Sequence, residues 1–155
     1  MSIFKRGTVE LEQPNTPAPN EPLWMKVVHG ELGVKEVPGS GDNPRIVEYH
    51  AETELHASKD AIAWCSSFAN WVMKQVGIKG TRSAAALSWR SWGTKLSQPK
   101  YGCIVVFDHG GGHGHVTFFE KWDGSYLVCT GGNQSDSVRT SKYSTGEVVA
   151  YRWPA

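Results

Sequence analysis

A chain of 155 residues with 39% apolar and 20% charged side chains can bury one hydrophobic core, and its composition excludes a disordered chain. A formal net charge of +1 without a basic stripe excludes a phosphate-backbone binder, so no nucleic-acid partner is expected. No apolar run approaches the roughly 20 residues that cross a bilayer, so no stable membrane insertion is expected.

Residues 7–22 contain Pro14, Pro17, Pro19 and Pro22 and few large apolar residues. Residues 1–21 therefore read as a flexible Pro-rich arm and 22–155 as a single domain. The start, Met1 to Arg6, carries charge with no apolar stretch behind it, so no secretory signal is expected. Trp24, Val27, Val28 and Leu32 recur at helical spacing after Pro22, and Gly33 is placed to stop that helix. Pro38 to Asp42 reads as a loop. Asn43 followed by Pro44 reads as an N-cap with proline in the first helical position, opening a short helix to His50.

Trp64 to Gly77 is the clearest helix, with Cys65, Phe68, Ala69, Val72 and Val76 on one face and Gly77 as its C-cap. Ser83 to Trp92 repeats a helical pattern less regularly and ends at Gly93. Beyond Pro99 the texture turns to strands. Cys103–Phe107, His115–Glu120, Ser125–Thr130 and segments near 136–142 and 147–153 make about five. Helices first and an antiparallel meander second predict an α+β fold.

Three cysteines, Cys65, Cys103 and Cys129, with no Cys-x-x-Cys pair predict neither a disulfide framework nor a structural zinc site. Cys65 stands at the start of the strongest helix, where unpaired amides and the helix dipole favour a thiolate. Its place on the apolar face equally suits an inert core thiol. His115 opens an apolar strand after a glycine-rich approach and could act as its base. Asn133, in Gly131-Gly132-Asn133-Gln134 at the end of the next strand, could orient that imidazole if the two strands form a hairpin, or could simply turn the chain. Asp108, His109, His113 and His115 leave open a metal-dependent hydrolase. Seven tryptophans leave open a non-catalytic binding module.

Trp-Cys-Ser-Ser-Phe opening a helix, then Tyr-Gly-Cys-Ile-Val-Val-Phe, Gly-His-Val-Thr-Phe-Phe and Gly-Gly-Asn-Gln resembles the CHAP and NlpC-type cysteine peptidase–amidase superfamily. The Trp-Met-Lys helix, the Gly-Ser-Gly-Asp-Asn-Pro loop and the terminal Tyr-Arg-Trp-Pro look like a small branch common in phages and prophages. The resemblance implies a papain-like domain, helices packed on an antiparallel sheet, that needs no cofactor or metal. It implies cleavage of a peptidoglycan amide bond, as an endopeptidase or an N-acetylmuramoyl-L-alanine amidase. In that scheme Cys65 is the nucleophile, His115 the general base and acid, and Asn133 the orienting residue.

Two positions depart from the family pattern. Many CHAP members place a glutamine before the cysteine to help form the oxyanion hole, and here Trp64 stands there. Ser58-Lys59-Asp60-Ala61 lacks the oxygen ligands of the calcium loop found in some phage members. Asp42 and Asn43, before the second helix, and Trp64, beside the nucleophile, are the expected groove residues. The expected setting is a monomer made in the bacterial cytoplasm that reaches the wall on delivery or lysis. A phage endolysin fits first, and a secreted antibacterial effector, which would have an immunity protein as partner, is the alternative.

Overall fold

The computed structural model describes residues 21–38, 41–54 and 63–155. The arm up to residue 20 and the 58–61 segment lie outside the described residues. Three α-helices come first. α1, Leu23–Gly30, buries Trp24, Met25 and Val28. It is anchored by the Trp24 indole N–H, which donates to the Gly102 carbonyl at 2.7 Å. α2, Pro44–His50, starts as the sequence predicts: Asn43 Oδ1 accepts the Arg45 amide at 2.8 Å and proline occupies the first turn.

α3, Cys65–Gln75, buries Cys65, Phe68, Ala69 and Val72 along the predicted face. It closes with the Gly77 amide on the Lys74 carbonyl and the Ile78 amide on the Met73 carbonyl. That double bond pattern requires the left-handed φ of +76° that glycine supplies at 77. The predicted helix from Ser83 to Trp92 shortens to a 3₁₀ turn, Ala86–Ser91. Ser83 is occupied elsewhere: its carbonyl accepts Ser66 Oγ at 2.6 Å and its hydroxyl accepts the Ala85 amide at 3.1 Å. Those bonds hold Ala85 extended, so a regular helix cannot begin there.

Six strands follow, one more than the sequence predicts: β1 Thr94–Leu96, β2 Ile104–Gly110, β3 His113–Asp123, β4 Tyr126–Gln134, β5 Ser137–Tyr143 and β6 Val148–Trp153. The additional one, β1, has three residues and pairs with β6, too short a segment to show alternation. All pairings are antiparallel, in the order β1-β6-β2-β3-β4-β5. The architecture is α+β.

The sheet curls strongly. Tyr143 at the end of β5 reaches Phe107 on β2, three strands away in the order, with ring centroids 5.0 Å apart. Curling divides the core in two. On the convex side Phe68 of α3 meets Phe118 of β3 edge to face at 6.3 Å, beside Trp64, Tyr49 and Val116. Inside the curl Cys103, Val105, Phe107, Phe119, Leu127 and Cys129 form a second cluster. Phe118 is fully buried, so Phe118→Ala costs about 3–5 kcal/mol. The first cluster presses the start of α3 against β3 and β4, and this sets the site.

Candidate active site

Cys65 is the first residue of α3 and is 6% exposed. Trp64, the N-cap, makes no side-chain cap, so no capping oxygen takes the first amides of the helix. The backbone amides of Val116, Ser66 and Cys65 itself favour the thiolate, while burial, the larger effect, pushes the thiol up from its ordinary value. Val116 directly follows His115 on β3, so the thiol at the start of α3 faces the strand that carries the histidine.

His115 is half-buried between Phe107 and Tyr143, with ring centroids 6.2 and 5.6 Å away. Its Nε2 lies 3.0 Å from Gln134 Oε1 and 3.4 Å from the Tyr143 hydroxyl. Gln134 is 3% exposed, and its orientation follows from what surrounds it. Its Nε2 donates to the carbonyls of Arg139 at 2.7 Å and Cys129 at 3.2 Å. Carbonyls only accept, so the amide nitrogen must face them and the amide oxygen must face His115. Thr117 Oγ1 also donates to that oxygen, at 2.7 Å. His115 Nε2 is therefore the protonated nitrogen, and Nδ1 keeps its lone pair for a proton. Burial lowers the His115 pKa from its ordinary value, opposed by the bond to Gln134. Burial thus acts on both groups in one direction, toward an uncharged thiol and an uncharged imidazole.

The residue at His115 is Gln134 and not Asn133. Phe118 pairs with Thr130, and that register, continued, would set Asn133 opposite His115. It does not continue. The β4–β5 ladder shifts between Gly131 and Gln134, and Asn133 takes a left-handed φ of +58°. This irregularity advances the chain by one residue, so the next side chain turns to the imidazole. Asn tolerates left-handed φ better than most residues, which explains its presence there without a bond to His115. Gly131 and Gly132 make the approach possible. A Cβ at 131 would meet Thr117 Oγ1 and stand 2.9 Å from Gln134 Oε1. One at 132 would stand 2.7 Å from Phe68 Cβ and 2.8 Å from the Trp64 ring.

The expected groove residues are placed differently. Trp64 is 0% exposed, stacked on Tyr49 at 5.8 Å, and its indole N–H donates to Glu36 Oε2 at 2.8 Å. It is a core residue and walls no groove. Asn43 spends its amide on helix capping and on the Lys35 carbonyl, at 2.8 Å. Asp42 is half-buried in the same loop. The four-residue metal cluster does not converge either. Asp108 accepts the Gly110 amide and faces Arg90 at 3.6 Å, His109 pairs with Glu147 at 2.7 Å, and His113 is exposed at the hairpin turn. Among the described residues no group of three His, Cys, Asp or Glu side chains is placed to hold a metal ion.

The residues that sequence reasoning missed are Gln134 and Tyr143. Gln134 lies inside the Gly-Gly-Asn-Gln motif, and only the bulge selects it over its neighbour. Tyr143 carries no local signal, because the curl of the sheet delivers it.

The model of the CHAP domain family matches residues 57–133, just under half of the chain, a span that runs from before Cys65 to Asn133. The similarity reaches the CHAP level and not the phage branch. It accords with the α+β, papain-like architecture. No curated protein matches the chain.

Proposed function

We propose that this protein is a cysteine peptidase or amidase that hydrolyses an amide bond of peptidoglycan, with Cys65 as nucleophile and His115 as general base and acid. The observation that carries the reading is the single tautomer of His115. Gln134 holds the proton on Nε2 and leaves Nδ1 as the acceptor, on a strand packed against the uncapped helix that Cys65 opens. The CHAP similarity supports the substrate class.

The step begins from the uncharged pair. His115 Nδ1 takes the thiol proton as the sulfur attacks the carbonyl carbon, so the thiolate forms when it is used. The tetrahedral oxygen faces the free amides at the start of α3, which take the part of the glutamine that Trp64 replaces. The imidazolium returns its proton to the leaving amine and a thioester remains on Cys65. Water attacks the thioester with His115 again as base, and carboxylic acid and free thiol are regenerated. Gln134 takes the orienting role that the family pattern gives to Asn133, by holding the ring through both proton transfers.

Zymography on purified cell walls tests the assignment: wild type clears the wall and a folded Cys65→Ala protein does not. Equal clearing by both would sink it. Mass spectrometry of the released muropeptides identifies the bond, since an amidase frees the stem peptide from muramic acid and an endopeptidase leaves it attached. An endolysin is the finer form of this reading, supported by the phage-like segments at 24–26, 39–44 and 151–154. Expression directed to the periplasm would lyse cells under either the endolysin or the effector reading. Rescue by a co-encoded protein would favour the effector.

A further inference from the structure

We propose that a cavity of about 650 Å³ between the segment after α1 and the β4–β5 turn is a substrate subsite for a residue that carries both a carboxylate and an ammonium group. Its walls include Lys35, Arg139, Glu36 and Asp136, two cations and two carboxylates. No ion pair within 4.0 Å joins any of the four to a partner among the described residues. Neighbouring opposite charges on free side chains tend to meet, and here the backbone presents them apart. The Glu36 amide donates to the Asp136 carbonyl at 2.9 Å, and Lys35 bridges to Ser137, which ties the segment to the edge of β5. Glu36 Oε2 is held by the Trp64 indole. Ser135 and Asp136 both have left-handed φ, +52° and +62°, and carry Asp136 out at the turn.

The cavity is joined by one hydrogen bond to each half of the site. Glu36 is bonded to Trp64, the residue before Cys65. The Arg139 carbonyl accepts the amide of Gln134, which holds His115.

The inference rests on the amide-hydrolase reading and deepens it. The glycan of peptidoglycan offers hydroxyls and acetamides, whereas its charges lie on the stem peptide. Carboxylates recur along the stem, and an ammonium appears on its diamino-acid residue. A subsite lined by both signs selects that residue. Lys35 and Arg139 take the carboxylate, and Asp136 with the free oxygen of Glu36 takes the ammonium.

The test is calorimetric titration of the Cys65→Ala protein, which cannot cleave its ligand, with a soluble stem peptide that ends in a diamino acid. The same peptide acetylated on the ammonium or amidated on the carboxylate supplies the comparison. Each modification is expected to weaken binding about tenfold or more. In the same background Arg139→Gln is expected to abolish the sensitivity to amidation, and Asp136→Asn the sensitivity to acetylation. Both side chains are exposed, so folding is expected to persist, and Lys35→Gln provides a second variant on the carboxylate side. Equal affinity for native and modified peptides, or no binding at all, overturns the subsite. Wall digestion by the wild type is scored separately. Digestion without charge selectivity overturns the subsite and leaves the hydrolase standing, while charge-selective binding without digestion overturns the hydrolase and leaves the subsite.

Discussion

The start of α3 and the inside of the curled sheet both bury thiols, and they surround them differently. Cys103 and Cys129 are fully buried among Phe107, Phe119 and Leu127. Burial pushes Cys103 up to about 11. Cys129 is raised further, by burial first and then by the neighbouring Cys103 and Glu120. Cys65 is raised by burial as well, so a raised pKa does not set it apart from the other two. What distinguishes it is its surroundings. Three backbone amides address the Cys65 sulfur, an imidazole of fixed tautomer follows on the adjoining strand, and a small part of its surface is open. A thiolate inside the sheet would have no opening for a carbonyl.

The sharpest way to break this contrast is mutation at each place. Cys65→Ala is expected to lower the rate of wall hydrolysis by about 10³-fold or more with the unfolding temperature nearly unchanged. Cys129→Ala is expected to keep the activity and lose about 1–2 kcal/mol in a denaturant titration. If Cys129→Ala is the inactive protein, the assignment of the thiols is reversed.

The orienting residue gives the next largest effect. Gln134→Ala should lower kcat roughly 100-fold, because His115 loses the acceptor that fixes its tautomer. Asn133→Ala should leave kcat within a few fold and cost about 1–2 kcal/mol of stability, the strain of a left-handed backbone on alanine. Equal losses of kcat in the two variants would contradict the bulge as the selector.

The pH dependence is a smaller and more diagnostic effect. His115 must be uncharged to take a proton, and its pKa is lowered by burial. The acid limb of kcat/KM therefore falls with its midpoint below 6.5, and a midpoint above 6.5 would refute the buried base. Stability follows the same sign. As pH drops below 6.5 the unfolded chain binds a proton that folded His115 refuses, so the fold weakens through that window. The smallest change is expected from Tyr143→Phe, which keeps the ring beside His115 and removes the hydroxyl 3.4 Å from Nε2. A loss of kcat of a few fold is expected, and a loss as deep as that of Gln134→Ala would make Tyr143 the principal orienting group.

Much of the fold was legible because local rules and tertiary demands agree. The apolar stripe of α3 with its terminal Gly77, and the Asn43-Pro44 start of α2, specify their elements from within a few residues. β1 was not legible, since three residues show no alternation and need β6 to define them. The 3₁₀ turn was not legible as one, because hydrogen bonds from Ser66 and Asn70, distant in sequence, hold Ser83. In the site, helix position pointed to Cys65 and strand position to His115. The core position of Trp64 was not legible, because a tryptophan beside a helix-opening cysteine suits a groove or a core equally, and contacts remote in sequence, among them Tyr49 and Gly132, bury it.

By itself the sequence determined which residues can do chemistry and on which elements they stand: a thiol opening a helix, a histidine opening a strand and a polar motif closing the next strand. These follow from propensities and periodicities that act within about one turn or one hairpin. The tertiary structure alone decided which partner the histidine has, that Trp64 is core and that four charges meet around one cavity. A bulge shifts register by a single residue, and the curl of a sheet joins strands remote in the chain, and neither leaves a local trace in the residues that it brings together.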